Sequence, residues 1–188
     1  MKRIISIALV FLLTVSALAF SGCSKKPTDD QNKPADEPNG NETPVFDSAV
    51  DFYTKVWDEF GSDKQFPASG GDEANMSEGP AKFVLSDDNA ETFKYLLHVT
   101  DELYDMLDDD VATLQNMMNT NTFSSAVAKL KDASKADEFA EAYKEAIQSQ
   151  QWMCGFPDKV TVISVGDYIV MAYGFDESID DLIAACSA

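Results

Sequence analysis

One histidine, three cysteines and 33 acidic residues carry most of the chemistry open to this chain of 188 residues. His98 is the only imidazole. A Ser-His-Asp or Cys-His arrangement would have to use it, and a metal site built from several histidines is excluded. It lies in Phe93-Lys94-Tyr95-Leu96-Leu97-His98-Val99, a helical stretch in which a partly buried structural imidazole is the plainer expectation. Asp108-Asp109-Asp110, with Asp101 and Asp105 upstream, is the candidate for a hard cation, which wants several oxygens held together. Consecutive aspartates on a helix point in different directions, however, and no alternating D-x-D-x-D-G loop is present. A solvated helix end whose Asp110 caps the next helix is the competing reading. Asp87, Asp88 and Asp167 could serve acid–base chemistry only if burial drove their pKa values apart. No nucleophile motif and no phosphate loop is found, so neither an enzyme nor a cofactor is expected.

The cysteines stand at 23, 154 and 186. Cys23 ends an N-terminal segment that starts with Lys2 and Arg3, runs apolar from Ile4 to Phe20, and closes with Ser21-Gly22. That is the layout of a secretory signal peptide. A cysteine at the cleavage point gives it the form of a bacterial lipoprotein signal, with Phe20 where leucine is usual. The thiol would carry a thioether-linked diacylglyceryl group, and cleavage would leave Cys23 as the mature N-terminus. A spanning helix is the rival, but it needs about 20 apolar residues and this run is shorter. The expected location is the extracytoplasmic face of the cell membrane, held by lipid. Outside the cytoplasm disulfides persist, so Cys154 and Cys186 either pair or stay as two thiols. No arginine or histidine beside Cys154 lowers its pKa.

Three regions follow: a signal peptide over 1–22, a lipidated cysteine and disordered linker over 23–45, and one globular domain over 46–188. The linker SKKPTDDQNKPADEPNGNETP has no aromatic or large aliphatic side chain, so it cannot offset its ordering entropy. As a flexible coil it would span about 25 Å. Signal removal deletes two cations and takes the formal charge from −19 to −21. Arg3, the only arginine, leaves with it. Nucleic acid is excluded as a partner, because binding it rests on neutralising phosphates.

Within the domain, apolar residues at 46, 49, 50, 53, 56, 57 and 60 predict an amphipathic helix, capped by Asp47 or Ser48 and ended by Gly61. Ser62 to Gly79 reads as loop and Lys82 to Leu85 as a short strand. Ser86 is the expected N-cap of a long helix broken near Thr100, and Val111 to Met118 the expected helix after Asp110. Thr122 to Leu130 is assigned to a strand, and Lys135 to Gln150 to a helix with Phe139, Ala142, Tyr143 and Ile147 inward. Lys159–Val165 and Tyr168–Gly174, joined by Gly166-Asp167, predict a tight hairpin. A short helix over Asp176 to Ala185 ends the chain. The fold class is α+β: an antiparallel sheet including a C-terminal hairpin, packed against several helices.

Trp152-Met153-Cys154-Gly155-Phe156-Pro157 links the last long helix to the hairpin, a place where sites often sit. It lacks the second cysteine of a dithiol pair. Two readings stand: a hydrophobic corner with Trp152 and Phe156 in the core, or an aromatic pocket of Trp152, Phe156 and Pro157 for a ligand or partner. Together with MMNTNTF before it and VGDYIVMAYG after it, this corner resembles a family of small uncharacterised lipoproteins of Gram-positive bacteria, over Leu114 to Gly174. The resemblance implies localisation and a similar fold and no catalytic residue. The functional expectation is a non-enzymatic binding or interaction module of the cell envelope, meeting the membrane through its lipid and an envelope protein or small ligand through its domain. The alternative is a solute-binding accessory component of a transporter.

Overall fold

Helices cover both faces of one antiparallel sheet. A computed structural model describes residues 45–152 and 155–188. The signal peptide, Cys23, the linker through residue 44, and Cys154 lie outside the described residues. The elements are α1 (Ala49–Glu59), β1 (Ala68–Ser69), β2 (Ala81–Lys82), α2 (Ala90–Leu97), α3 (Asp101–Asp105), β3 (Leu107–Asn116), β4 (Phe123–Leu130), α4 (Ala136–Ser149), β5 (Lys159–Val165), β6 (Tyr168–Gly174) and α5 (Asp176–Ala185). The sheet order is β1-β3-β4-β6-β5, with β2 also paired to β3. The class is α+β, as the residue pattern predicts.

Alternation along the central strands divides the core in two. Tyr168, Val170 and Ala172 of β6 face α1 and α5, meeting Phe52, Tyr53, Val56, Ile179 and Leu182. Ile169, Met171 and Tyr173 face the other way, toward Phe93, Leu97, Leu103, Phe139, Tyr143 and Ile147 of α2, α3 and α4. Side chains of successive strand residues point to opposite faces, so a strand covered on both sides must be apolar throughout. Every residue of β6 is buried. The same condition explains why 123–130 does not sort by face in the sequence: only Lys129 of β4 escapes full burial.

The expected helix over Val111 to Met118 is instead the heart of β3. Val111 joins one core cluster while Ala112 and Leu114 join the other. A short apolar run buried on both sides has no helical or strand period to display. Register with β4 slips between Leu107 and Val111, and the three aspartates occupy the bulge. Asp110 does cap a helix, but a distant one. Its Oδ1 accepts the Ala49 N–H at the start of α1 (3.0 Å), and its Oδ2 accepts the Tyr168 hydroxyl (2.7 Å).

Local signals hold elsewhere. The Ser48 hydroxyl caps α1 by accepting the Asp51 N–H, and Val165 and Tyr168 face each other across the Gly166-Asp167 turn. Ser86 is not a helix cap. The Asn89 side chain accepts both the Ser86 N–H and hydroxyl, closing a turn that delays α2 to Ala90. The helix breaks at His98, which adopts φ +52 and ψ +38, and Thr100 then caps α3 by accepting the Leu103 N–H. On α4 the inward residues are Phe139, Tyr143, Ala146 and Ile147; Ala142 is exposed, because the stripe drifts with the 3.6-residue turn.

Candidate functional site

Three segments far apart in sequence converge at one end of β6. The first is the end of α2, where the left-handed turn at His98 swings its ring off the helix axis. The second is the turn before β4. Asn116 Oδ1 accepts the N–H groups of Met118 and Asn119, and Asn119 Oδ1 accepts that of Asn121, so the asparagines fold the backbone into a loop. The third is the exit from α4, where Gln150 turns extended and Trp152 folds back. The indole N–H donates to the Ile147 carbonyl (3.2 Å), which pins the ring.

Tyr173, projecting from β6, forms the floor. Its hydroxyl donates to the Leu96 carbonyl (2.8 Å), tying sheet to helix. The His98 ring stands edge-on to Trp152 at 4.6 Å between centroids and lies 5.4 Å from Tyr173; Trp152 lies 5.3 Å from Tyr173. Tyr95 closes the rim at 6.4 Å from His98 and is 76% exposed. Aromatic groups at these separations attract one another through ring edges and faces, by about 0.5–1.5 kcal/mol per pair beyond area burial. The rings enclose a cleft of about 480 Å³. Its remaining walls are Leu96, Asn119, Thr120, Asn121, Gln150 and Gln151.

No carboxylate, ammonium or guanidinium lines this cleft among the described residues. Burial lowers the His98 pKa below its usual 6.5, and no neighbouring charge opposes the shift, so the ring is neutral at pH 7 with one donor and one acceptor nitrogen. The side-chain amides of Asn121, Gln150 and Gln151 make no hydrogen bond among the described residues. The cleft therefore offers aromatic surface, carboxamides and a neutral imidazole. His98 meets aromatic rings, and among the described residues no hydrogen bond joins it to a carboxylate or a hydroxyl. Two smaller concavities, of about 310 and 230 Å³, lie beside Trp57 and Met117 and beside Lys64 and Asp181.

Of the pocket expected from Trp152, Phe156 and Pro157, only Trp152 lines the cleft. Phe156 is 70% exposed, so it neither plugs the core nor walls the cleft. Gly155, at φ +101, turns the chain outward just before it, and Pro157 lies half-buried on the way to β5. Cys186 packs against the cluster under α1 and α5, where burial pushes its thiol up to about 12. Trp152 packs against the opposite face of the sheet. The acidic candidates do not converge. Asp101 pairs with Lys94, Asp110 is held by α1 and Tyr168, and Asp108 accepts its neighbour's N–H. Asp87 and Asp88 are exposed in the turn before α2, and Asp167 is exposed in the hairpin turn. Among the described residues no group of three His, Cys, Asp or Glu side chains is placed to hold a metal.

Sequence reasoning missed Tyr95, Asn119, Asn121, Gln150, Gln151 and Tyr173. A usable signal existed: MMNTNTF, QWMCGFP and VGDYIVMAYG each send at least one residue into this one cleft. No known protein family, curated protein or solved structure matches the chain.

Proposed function

We propose that this chain is a lipid-anchored, non-enzymatic binding module of the cell envelope, and that the cleft between His98, Trp152 and Tyr173 is its ligand site. The observation that carries the reading is the cleft itself: a volume suited to a small ligand, a few convergent polar groups, and aromatic walls. The N-terminal Phe20-Ser21-Gly22-Cys23 supports the anchor. The described residues form one sheet with its helices and no second lobe, which favours a module over a transporter-linked solute receptor.

Thermal melts of the full chain against a library of small metabolites and oligomers test the assignment. A ligand at 100 times its Kd stabilises by about 2.7 kcal/mol. At least one compound should raise the melting midpoint, and the rise should vanish in Trp152→Ala. A library without hits, or hits indifferent to Trp152, would overturn the proposal.

A further inference from the structure

We infer that the cleft recognises a neutral saccharide unit; this rests on the binding-module reading and names its ligand class. Three features point there. First, the walls carry no formal charge, although the chain carries a net charge of −19. Desolvating a charged ligand there would gain no ion pair, so the site selects against ions. Second, four aromatic rings line the cleft. Trp152 is held by its own indole N–H bond to Ile147, and Tyr95 presents an exposed ring at the mouth. The electron-rich face of an aromatic ring attracts the slightly positive C–H face of a pyranose. Third, Asn121, Gln150 and Gln151 bring amides that combine a carbonyl acceptor with two N–H donors. Vicinal hydroxyls are donor and acceptor at once, and an amide satisfies two of them together.

A peptide added as a further strand is one competing occupant, and the backbone disfavours it; decaproline tests the other mode, a polyproline segment on aromatic rings. A peptide bound as an added strand is recognised through main-chain hydrogen bonds to a free sheet edge. The cleft sits over Tyr173 of β6, whose register partner is Ser124 of β4, and both strands are interior to the sheet order. At this end β6 is already paired on both sides, Gly174 with Phe123 and with Lys159. Recognition must therefore come from side chains.

The test is isothermal titration of the full chain with maltotriose, cellotetraose and chitobiose, beside heparin as an anionic glycan and decaproline as a peptide. At least one neutral saccharide should bind, with affinity unchanged within about twofold between 50 and 500 mM salt, because no ion pair is involved. Gln151→Ala, which alters an exposed side chain and leaves the fold intact, should weaken that binding about fivefold, the loss of one hydrogen bond. Trp152→Ala should weaken it more than tenfold. If all three neutral saccharides fail at 10 mM while decaproline, heparin or a library compound binds in a Trp152-dependent way, the saccharide inference falls and the binding module stands. Saccharide binding insensitive to both variants also overturns it, by placing the ligand elsewhere. Failure of every probe and every library compound removes both readings.

Discussion

Asp72 shows how one buried carboxylate can hold a loop without a cation. It is 7% exposed and sits in the irregular segment between β1 and β2. Burial by itself would raise its pKa. Hydrogen bonds from the Val84 N–H (2.7 Å), the Asn75 side chain and the Ala74 and Asn75 N–H groups outweigh that and hold it below its usual 3.8. The sign follows from linkage: a depressed folded-state value contributes stability above the unfolded pKa, and this is lost as pH falls through the folded one. Asp72→Asn should therefore cost about 2 kcal/mol at pH 7, the loss of charge-assisted bonds. The gap to the parent should narrow as pH falls below 3.8, where the unfolded parent's carboxyl takes up a proton before the folded one does. Urea unfolding at pH 7 and pH 2.5 measures both; a gap of equal size at the two values would show that the charge is irrelevant. His98 behaves in the opposite sense, kept neutral among rings, so the cleft has no charge to change between pH 7 and 8.

At the level of elements, the cleft depends on how the turn before β4 docks against the end of β6. The Phe175 N–H donates to the Thr122 carbonyl (2.9 Å), and Gly174 lets the two backbones approach. A Cβ on Gly174 would fall 2.3 Å from the Thr122 carbonyl oxygen and 2.9 Å from the Phe123 Cα. Both are backbone atoms, so no side chain can swing aside. Gly174→Ala should cost about 1–3 kcal/mol, as overpacking in tight sites does. It should also push Asn119 and Asn121 out of position, so that ligand binding weakens even at temperatures where the variant is fully folded. Thermal denaturation and titration on the same sample separate the two effects; an unchanged melting point would mean the strands relax freely. The bulge of Asp108–Asp110 does comparable work on the other face. It delivers a carboxylate to the first turn of α1, where the positive end of the helix dipole welcomes it.

At the scale of the whole molecule, the proposed anchor is a lipid on Cys23. Two acyl chains anchor stably where one does not, since each buried methylene adds about 0.8 kcal/mol. Palmitate label should enter the native protein and should not enter Cys23→Ser. Mass spectrometry showing an unmodified N-terminus downstream of Cys23 would refute the anchor. No helix among the described residues is long and apolar enough to cross a membrane.

What the residues determined alone is what neighbours in sequence can decide. Gly166-Asp167 sets a two-residue hairpin between β-branched runs, Ser48 caps α1, and Asp176 to Ala185 carries its own amphipathic stripe; each was legible and each stands where its pattern puts it. Val111 to Leu114 was not legible. Its strand state comes from partners on β4 and from core on both faces, contacts made by residues distant in the chain. The cleft is nonlocal for the same reason. Tyr95, Asn121, Trp152 and Tyr173 share no spacing or period, and only the packing of α2 and α4 over β6 brings their side chains within reach of one ligand. Local propensity acts over a few residues, whereas burial acts over whatever the fold places together.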